Sequence, residues 1–385
     1  MIYFILGSHP ELAKAEIKAV LGDLDVVHAT DKFLLANITE KNLGRLQDRL
    51  ASIVKIGHVI GELIEWDESG AADLIAAYAS SAMGKNKISF GISAYDKQRR
   101  LEKETSSLGG AVKKILKETG RPVRYVTSKE PQLSSAVVDT NNLIGSGGEF
   151  VLLAVGKKTM IGQTETVQDF RAWSDRDYGR PKRDKRSGML PPKLARMMIN
   201  LSGLEPDGHN ILDAFCGSGT VLMEAALMGF DPLIGSDIAE KAIKDTKKNL
   251  GWLTREFDLP ELNLTLFEIP AENLSEHFTD PVDLIVSEVF LGDPRHTPAD
   301  AHQLKLIEKK LLPQYEKIFA GFKSVFNDKT IAVIAFPAMK TKTGDWHRLP
   351  IQDLLERLGY KIESEHMYSR SNQLIARNIY VLTLK

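Results

Sequence analysis

At 385 residues, with 43% hydrophobic and 26% charged side chains, the chain is long enough for two or three domains and too apolar to be disordered. Its 50 basic and 51 acidic side chains give a formal charge of −1, so any contact with nucleic acid must be made by a local cluster rather than by the field of the whole chain. The single cysteine, Cys216, excludes an internal disulfide and a cysteine-rich zinc site, and no apolar run is long enough to span a bilayer.

The opening Met1-Ile-Tyr-Phe-Ile-Leu-Gly7 carries neither a basic leader nor a cleavage site. It reads as a first strand over 2–6, and a cytoplasmic location is expected. A helix over 10–21 has proline in its first turn and Gly22 at its end; a strand at 33–38 and an amphipathic helix over 43–56 follow. Residues 1–60 therefore read as a small α+β domain. Residues 61–165 read as a second one, with helices over 71–83 and 101–118 and strands at 87–94, 123–126, 134–138, 150–155 and 160–163. Residues 166–190 lack periodicity and read as a linker. The remainder, 191–385, begins with a helix over 193–201. It then alternates strands at 210–213, 232–236, 263–267, 282–287 and 330–336 with helices, notably 301–322, as a doubly wound Rossmann-like α/β domain does. Strands at 361–368 and 374–384 close it as an antiparallel hairpin on an otherwise parallel sheet.

The most informative stretch is Asp213-Ala-Phe-Cys-Gly-Ser-Gly-Thr220, with Asp237 closing the next apolar run. Ile211 and Leu212 end a buried strand, and two glycines let the backbone approach a ligand. An acid about 20 residues past such a turn is placed to accept hydrogen bonds from ribose hydroxyls. No lysine follows the glycines as a phosphate cradle requires, and Phe215 stands where a dinucleotide fingerprint wants another glycine. The ligand indicated is S-adenosylmethionine, held by Asp213, Phe215, Gly217, Gly219, Thr220 and Asp237. Cys216 reads as a small buried side chain on a tight turn, not a nucleophile.

At the end of the fourth strand of this domain, Ser287-Glu-Val-Phe-Leu-Gly292 puts an acid and an aromatic at the carboxyl edge of the sheet. Transfer to an exocyclic amine calls for such a pair. Glu288 accepts the N–H bonds of the amine and Phe290 stacks on its base. Two basic clusters are the candidate nucleic-acid contacts. One holds Arg99 and Arg100; the other holds Arg180, Lys182, Arg183 and Lys185, in a segment of six basic and two acidic side chains from Arg176 to Arg186. Either cluster alone reads equally well as a solvated face.

In this ordered combination the chain resembles the THUMP-containing tRNA methyltransferases that modify the N2 amine of guanosine 10. The resemblance rests on Tyr3-Phe-Ile-Leu-Gly-Ser-His-Pro-Glu-Leu12, Lys129-Glu-Pro-Gln-Leu-Ser-Ser-Ala-Val-Val138, Asp175-Arg-Asp-Tyr-Gly-Arg-Pro181, Gly188-Met-Leu-Pro-Pro-Lys-Leu-Ala-Arg196 and the 213–220 loop. It implies a ferredoxin-like domain over 1–60, a THUMP-like RNA-binding domain over 61–165, tRNA as partner, no metal and no membrane; an activating partner subunit stays open. The chain departs from the family at its Asp-Pro-Pro-Tyr motif, replaced here by Ser287 to Phe290. It departs again at Pro270, where the family has an acid that meets adenine, a place Glu272 or the backbone of Ala271 is left to fill. Two other readings stay open. One is an RNA-binding protein that keeps the scaffold without turnover; the other is a DNA amino-methyltransferase.

Overall fold

The apolar opening of the chain forms strand β1 (Ile2–Leu6) in this computed structural model, which describes residues 1–83, 87–183, 189–278 and 280–385. Two units separate, Met1–Ala172 and Trp173–Lys385. In the first, helix α1 (Pro10–Leu21) begins on Pro10, whose missing N–H has no intrahelical partner in a first turn, and stops at Gly22 with φ 71°. Strands β2 (Asp25–Ala29) and β3 (Phe33–Asn37), helix α2 (Leu43–Arg49) and strand β4 (Ile53–Leu63) follow. Helix α3 (Glu68–Ala82) is capped by the Asp67 carboxylate, which accepts from the N–H groups of Ser69 and Gly70. Next come β5 (Ile88–Tyr95), α4 (Arg100–Glu118), β6 (Val123–Val126), α5 (Ser135–Thr140), β7 (Gly148–Val155) and β8 (Lys158–Val167).

All these strands form one sheet in the order β2-β3-β1-β4-β8-β7-β5-β6. The boundary expected at residue 60 falls inside β4, so the two expected domains share a sheet. Each side nevertheless keeps its own apolar cluster: Phe4, Leu34, Leu46 and Ile53 in one, Ile75, Phe90, Leu108 and Phe150 in the other. The fully buried Lys55 of β4 pairs with Glu149 of β7, and the hydroxyl of Thr164 on β8 donates to the same carboxylate at 2.7 Å.

Two expectations need correction here. The helix expected over 43–56 ends at Arg49, because the following residues pair with β1 and β8, and these ladders outweigh a local apolar spacing that suits either state. The strand expected at 134–138 is helix α5, whose N-cap Ser134 accepts from the N–H of Val137.

The segment expected as a linker is folded where it is described. Helix α6 (Phe170–Ser174) runs into a π-helical turn, Asp175–Gly179. Within that turn Arg176 is buried, its Nε 2.7 Å from Glu224 and its guanidinium 4.0 Å from the ring centre of Trp173. The second unit continues with α7 (Pro192–Leu201), β9 (Ile211–Asp213), α8 (Thr220–Met228), β10 (Leu233–Asp237), α9 (Glu240–Glu256), β11 (Leu264–Glu268), α10 (Leu274–His277) and β12 (Leu284–Glu288). It closes with α11 (Ala301–Phe322), β13 (Ile331–Lys340), β14 (Trp346–Arg348), α12 (Ile351–Arg357), β15 (Tyr360–Tyr368) and β16 (Ile375–Leu384).

The sheet order is β11-β10-β9-β12-β13-β16-β15, parallel as far as β13 and antiparallel from there on. Helix α11 starts at a capping box in which Asp300 accepts from Gln303 N–H and the Gln303 side chain accepts from Asp300 N–H. Its Leu311, Tyr315, Phe319 and Phe322 pack with Leu212, Ile285, Phe336 and Tyr380 of the sheet. Truncating a fully buried phenylalanine in such a cluster costs about 3–5 kcal/mol. Strand order reverses between β9 and β12, so the loops after them diverge and open a crevice at their carboxyl ends. Among the described residues no helix is long and apolar enough to cross a membrane.

Candidate cofactor and target-base site

The crevice is a cavity of about 480 Å³, in the size range of small-molecule sites. Its floor is the turn after β9. Ala214 N–H donates to Ser287 Oγ at 2.9 Å, and Cys216 N–H donates to Ser236 O at 2.9 Å, so the turn is tied to both neighbouring strands. Gly219 has φ +83°, and a Cβ there would stand 2.9 Å from Thr246 Cγ2, so no side chain is accommodated. Asp237 ends β10 and holds the turn from the other side: Oδ2 accepts from Gly217 N–H at 3.0 Å and Oδ1 from Ala239 N–H at 2.9 Å. A carboxylate offers about four lone-pair positions, so Asp237 keeps capacity for ribose hydroxyls.

Asp213 is buried at the end of β9. Burial raises its carboxyl to about 7, against hydrogen bonds from Ser287 Oγ at 2.9 Å and Phe215 N–H at 3.2 Å, while the charges of Asp237 and Glu288 push it further up. The Cys216 thiol is also buried and pushed well up by that burial, which suits a structural role in the turn.

Glu288 ends β12 and lines the cavity with Phe290. Its carboxylate is paired edge-on with Arg377 of β16, Nε to Oε1 at 3.0 Å and Nη2 to Oε2 at 3.4 Å. The two strands are not neighbours: β13 lies between them and carries Ala335 opposite Glu288 and Pro337 opposite Arg377. Burial raises the Glu288 carboxyl, and the Arg377 charge works against that rise. Phe290 is 48% exposed, an uncommon state for a large aromatic and one suited to stacking.

Of the sequence-predicted site residues, Asp213, Phe215, Gly217, Thr220, Asp237, Glu288 and Phe290 all line this one cavity. Gly219 belongs to the same turn but does not line the cavity. Glu272 does not belong: it is exposed on the turn that leads into α10 and does not line the cavity. Arg180 needs correction as an RNA contact, because the residue is only 3% exposed and its Nη1 donates to Thr220 Oγ1 at 2.7 Å. Lys182 is half-buried, its backbone bonded in both directions to the Asn249 side chain. Arg183 is half-buried with its guanidinium 4.9 Å from the ring centre of Tyr178. Lys185 lies outside the described residues. In the first unit Arg99 and Arg100 are exposed, Arg99 2.6 Å from Glu102 and Arg100 3.6 Å from Asp96. Arg377 was missed. Its signal was Arg377-Asn378 standing in an otherwise apolar run, a polar pair that a buried strand tolerates when partners exist. Among the described residues no group of three or more His, Cys, Asp or Glu could hold a metal ion.

The chain is 30% identical to the tRNA (guanine(10)-N2)-dimethyltransferase of Methanothermobacter thermautotrophicus, over 75% of this chain and 76% of that one. It belongs to that family. The RMKL-like methyltransferase domain family matches residues 180–341. A family described as DNA methylase matches residues 17–248, so the chain also falls within that wider group of methylases. Among solved structures, TrmN from Thermus thermophilus shares the fold at 16% identity and a TM-score of 0.54, over all of both chains. So does SMU.472, a methyltransferase solved with SAH, at 14% identity and a TM-score of 0.50, over 100% of this chain and 98% of that one. The family membership and the cavity agree on S-adenosylmethionine as the cofactor. The residues fit it: Asp237 keeps lone pairs for a ribose, and the carboxyl groups of Asp213, Asp237 and Glu288 line a cavity that would take a ligand carrying positive charge.

Proposed function

We propose that the protein transfers a methyl group from S-adenosylmethionine to the N2 amine of a guanosine in tRNA. The observation that carries this reading is Glu288, a carboxylate held by Arg377 in the lining of the cofactor cavity. Guanine carries its N2 amine as a hydrogen-bond donor. Both oxygens of the carboxylate face Arg377, and each keeps one further lone-pair position, one of which can accept an N2–H bond. Phe290 stacks on the base, a contact worth about 1–3 kcal/mol in single-stranded sites.

Bound in the cavity, the cofactor supplies an electrophilic methyl carbon on a sulfonium. Asp237 would hold the ribose hydroxyls, and the turn from Asp213 to Thr220 would hold the remainder of the cofactor. Glu288 draws on the N–H bonds, which returns lone-pair density to a nitrogen otherwise conjugated with the ring and aligns it with the methyl carbon. Glu288 would accept the proton that the amine sheds on methylation. The leaving thioether is neutral, so no step calls for a metal. The first unit supplies RNA capture as a THUMP-like region that shares its sheet with the ferredoxin-like N-terminal part, with Arg99 and Arg100 contacting phosphates. Lys182 and Arg183 are further candidates for phosphate contact.

The DNA methylase match favours a second reading, transfer to an exocyclic amine of DNA. Methyl incorporation into bulk tRNA and into duplex DNA, by the wild type beside Glu288→Ala, separates the two. Incorporation into tRNA that Glu288→Ala abolishes is expected. Incorporation into DNA alone would favour the second reading, and none into either would leave an RNA-binding scaffold.

A further inference from the structure

Among the described residues no acid lies within ion-pair distance of the buried Arg180, although the charges of Asp177 and Glu224 act on it from further off. Its Nη1 donates to Thr220 Oγ1, but Nε and Nη2 are buried and find no acceptor. The nearest acid along the same helix, Glu224, is already held by Arg176 at 2.7 Å and by Arg196 at 2.8 Å. A guanidinium cannot shed its proton to escape burial as a lysine does, so an unpaired one is costly unless a ligand completes it. The two unused donors are the neighbouring pair that binds a carboxylate bidentately. Thr220, which Arg180 touches, lines the cofactor cavity; the charged side chains lining it are the acids Asp213, Asp237, Asp245 and Glu288 and one base, Lys241, which pairs with Asp245 at 2.6 Å. A ligand with two cationic groups and one anionic group matches that distribution.

We propose that Arg180 binds the carboxylate of the methionine moiety of S-adenosylmethionine through Nε and Nη2, with Thr220 Oγ1 steadying Nη1. This rests on the cofactor reading above, and it makes Arg180 a cofactor residue rather than an RNA contact. The same contact resolves the unpaired charge, so cofactor binding and stability of the second unit are linked through this side chain.

The test is calorimetry on the full chain with two ligands, S-adenosylmethionine and its decarboxylated analogue, for wild type, Arg180→Met and Arg180→Lys. Arg180→Met should lose about 100-fold in affinity for S-adenosylmethionine, and the decarboxylated analogue should change by less than about 3-fold. Arg180→Lys, which keeps the charge but not the paired donors, should fall between. Without ligand, Arg180→Met should melt at or above the wild-type temperature, because a buried unpaired charge is gone. Equal losses for both ligands, or a lower melting temperature with unchanged cofactor affinity, would overturn the assignment, as would a loss confined to tRNA binding. Absence of cofactor binding by the wild type would instead overturn the cofactor reading on which the assignment rests.

Discussion

Arg377→Met tests the chemistry of the target site through a residue that has no direct contact to make with the methyl donor. The guanidinium is 5% exposed and meets the Glu288 carboxylate at 3.0 and 3.4 Å. Removing one partner of a buried pair leaves the other uncompensated at a cost of about 3–5 kcal/mol. Glu288 escapes that cost by taking up a proton. At 1.36 kcal/mol per unit, its carboxyl must then rise by at least about two units from a position burial has already raised. Methyl transfer uses the carboxylate, so the acid limb of the rate profile should move up by about two pH units, with a loss approaching about 100-fold on the acid side and recovery at high pH. Single-turnover transfer to tRNA between about pH 5 and 9 measures it, with Arg377→Lys expected to restore part of the shift. A uniform loss at every pH, with the acid limb unmoved, would refute the claim that Arg377 holds the charge on Glu288.

Asp237→Ala should weaken S-adenosylmethionine binding by about 2–3 kcal/mol, two charge-assisted bonds to ribose less relaxation, and leave tRNA affinity nearly unchanged; calorimetry reads both, and equal losses would contradict the role given to Asp237. Asp213 has a carboxyl raised to about 7, so it is largely protonated below that value and ionised above it. Cofactor affinity should therefore rise between about pH 6 and 8, and binding should release protons, seen as a heat that depends on the buffer; Asp213→Asn should abolish both. The same raised value makes the free protein lose stability as pH rises through about 7, because the native state binds the proton that the unfolded state has already lost above its ordinary value near 4. Replacing Arg99 and Arg100 together by alanine should lower tRNA affinity and reduce the slope of log K against log salt by about one to two; an unchanged slope would place them on a merely solvated face.

The second unit was the more legible half because its strands are short apolar runs separated by helices with clear ends. The capping residues Asp300 and Gln303 and the apolar spacing of α11 define the helix 301–322 from local information alone. The cofactor turn was legible for the same reason: Gly217, Gly219 and Asp237 have positions fixed by local backbone demands. In the first unit, β4 was missed because Ile53, Ile56 and Ile60 fit a helical face as well as a strand, and only pairing with β1 and β8 decides. Arg180 was misplaced because a basic cluster reads as surface, whereas burial depends on the packing around α8. The pairing of Arg377 with Glu288 spans 89 residues and a strand between them, a contact that composition and periodicity do not encode.

The central claim is that Glu288 presents a guanosine N2 amine to the methyl donor. Mass spectrometry of nucleosides from unmodified tRNA, after incubation with the protein and S-adenosylmethionine, tests it most directly. N2-methylated guanosine formed by the wild type and absent with Glu288→Gln is the predicted result. Methylation at another atom or another base, or product unaffected by Glu288→Gln, would contradict it.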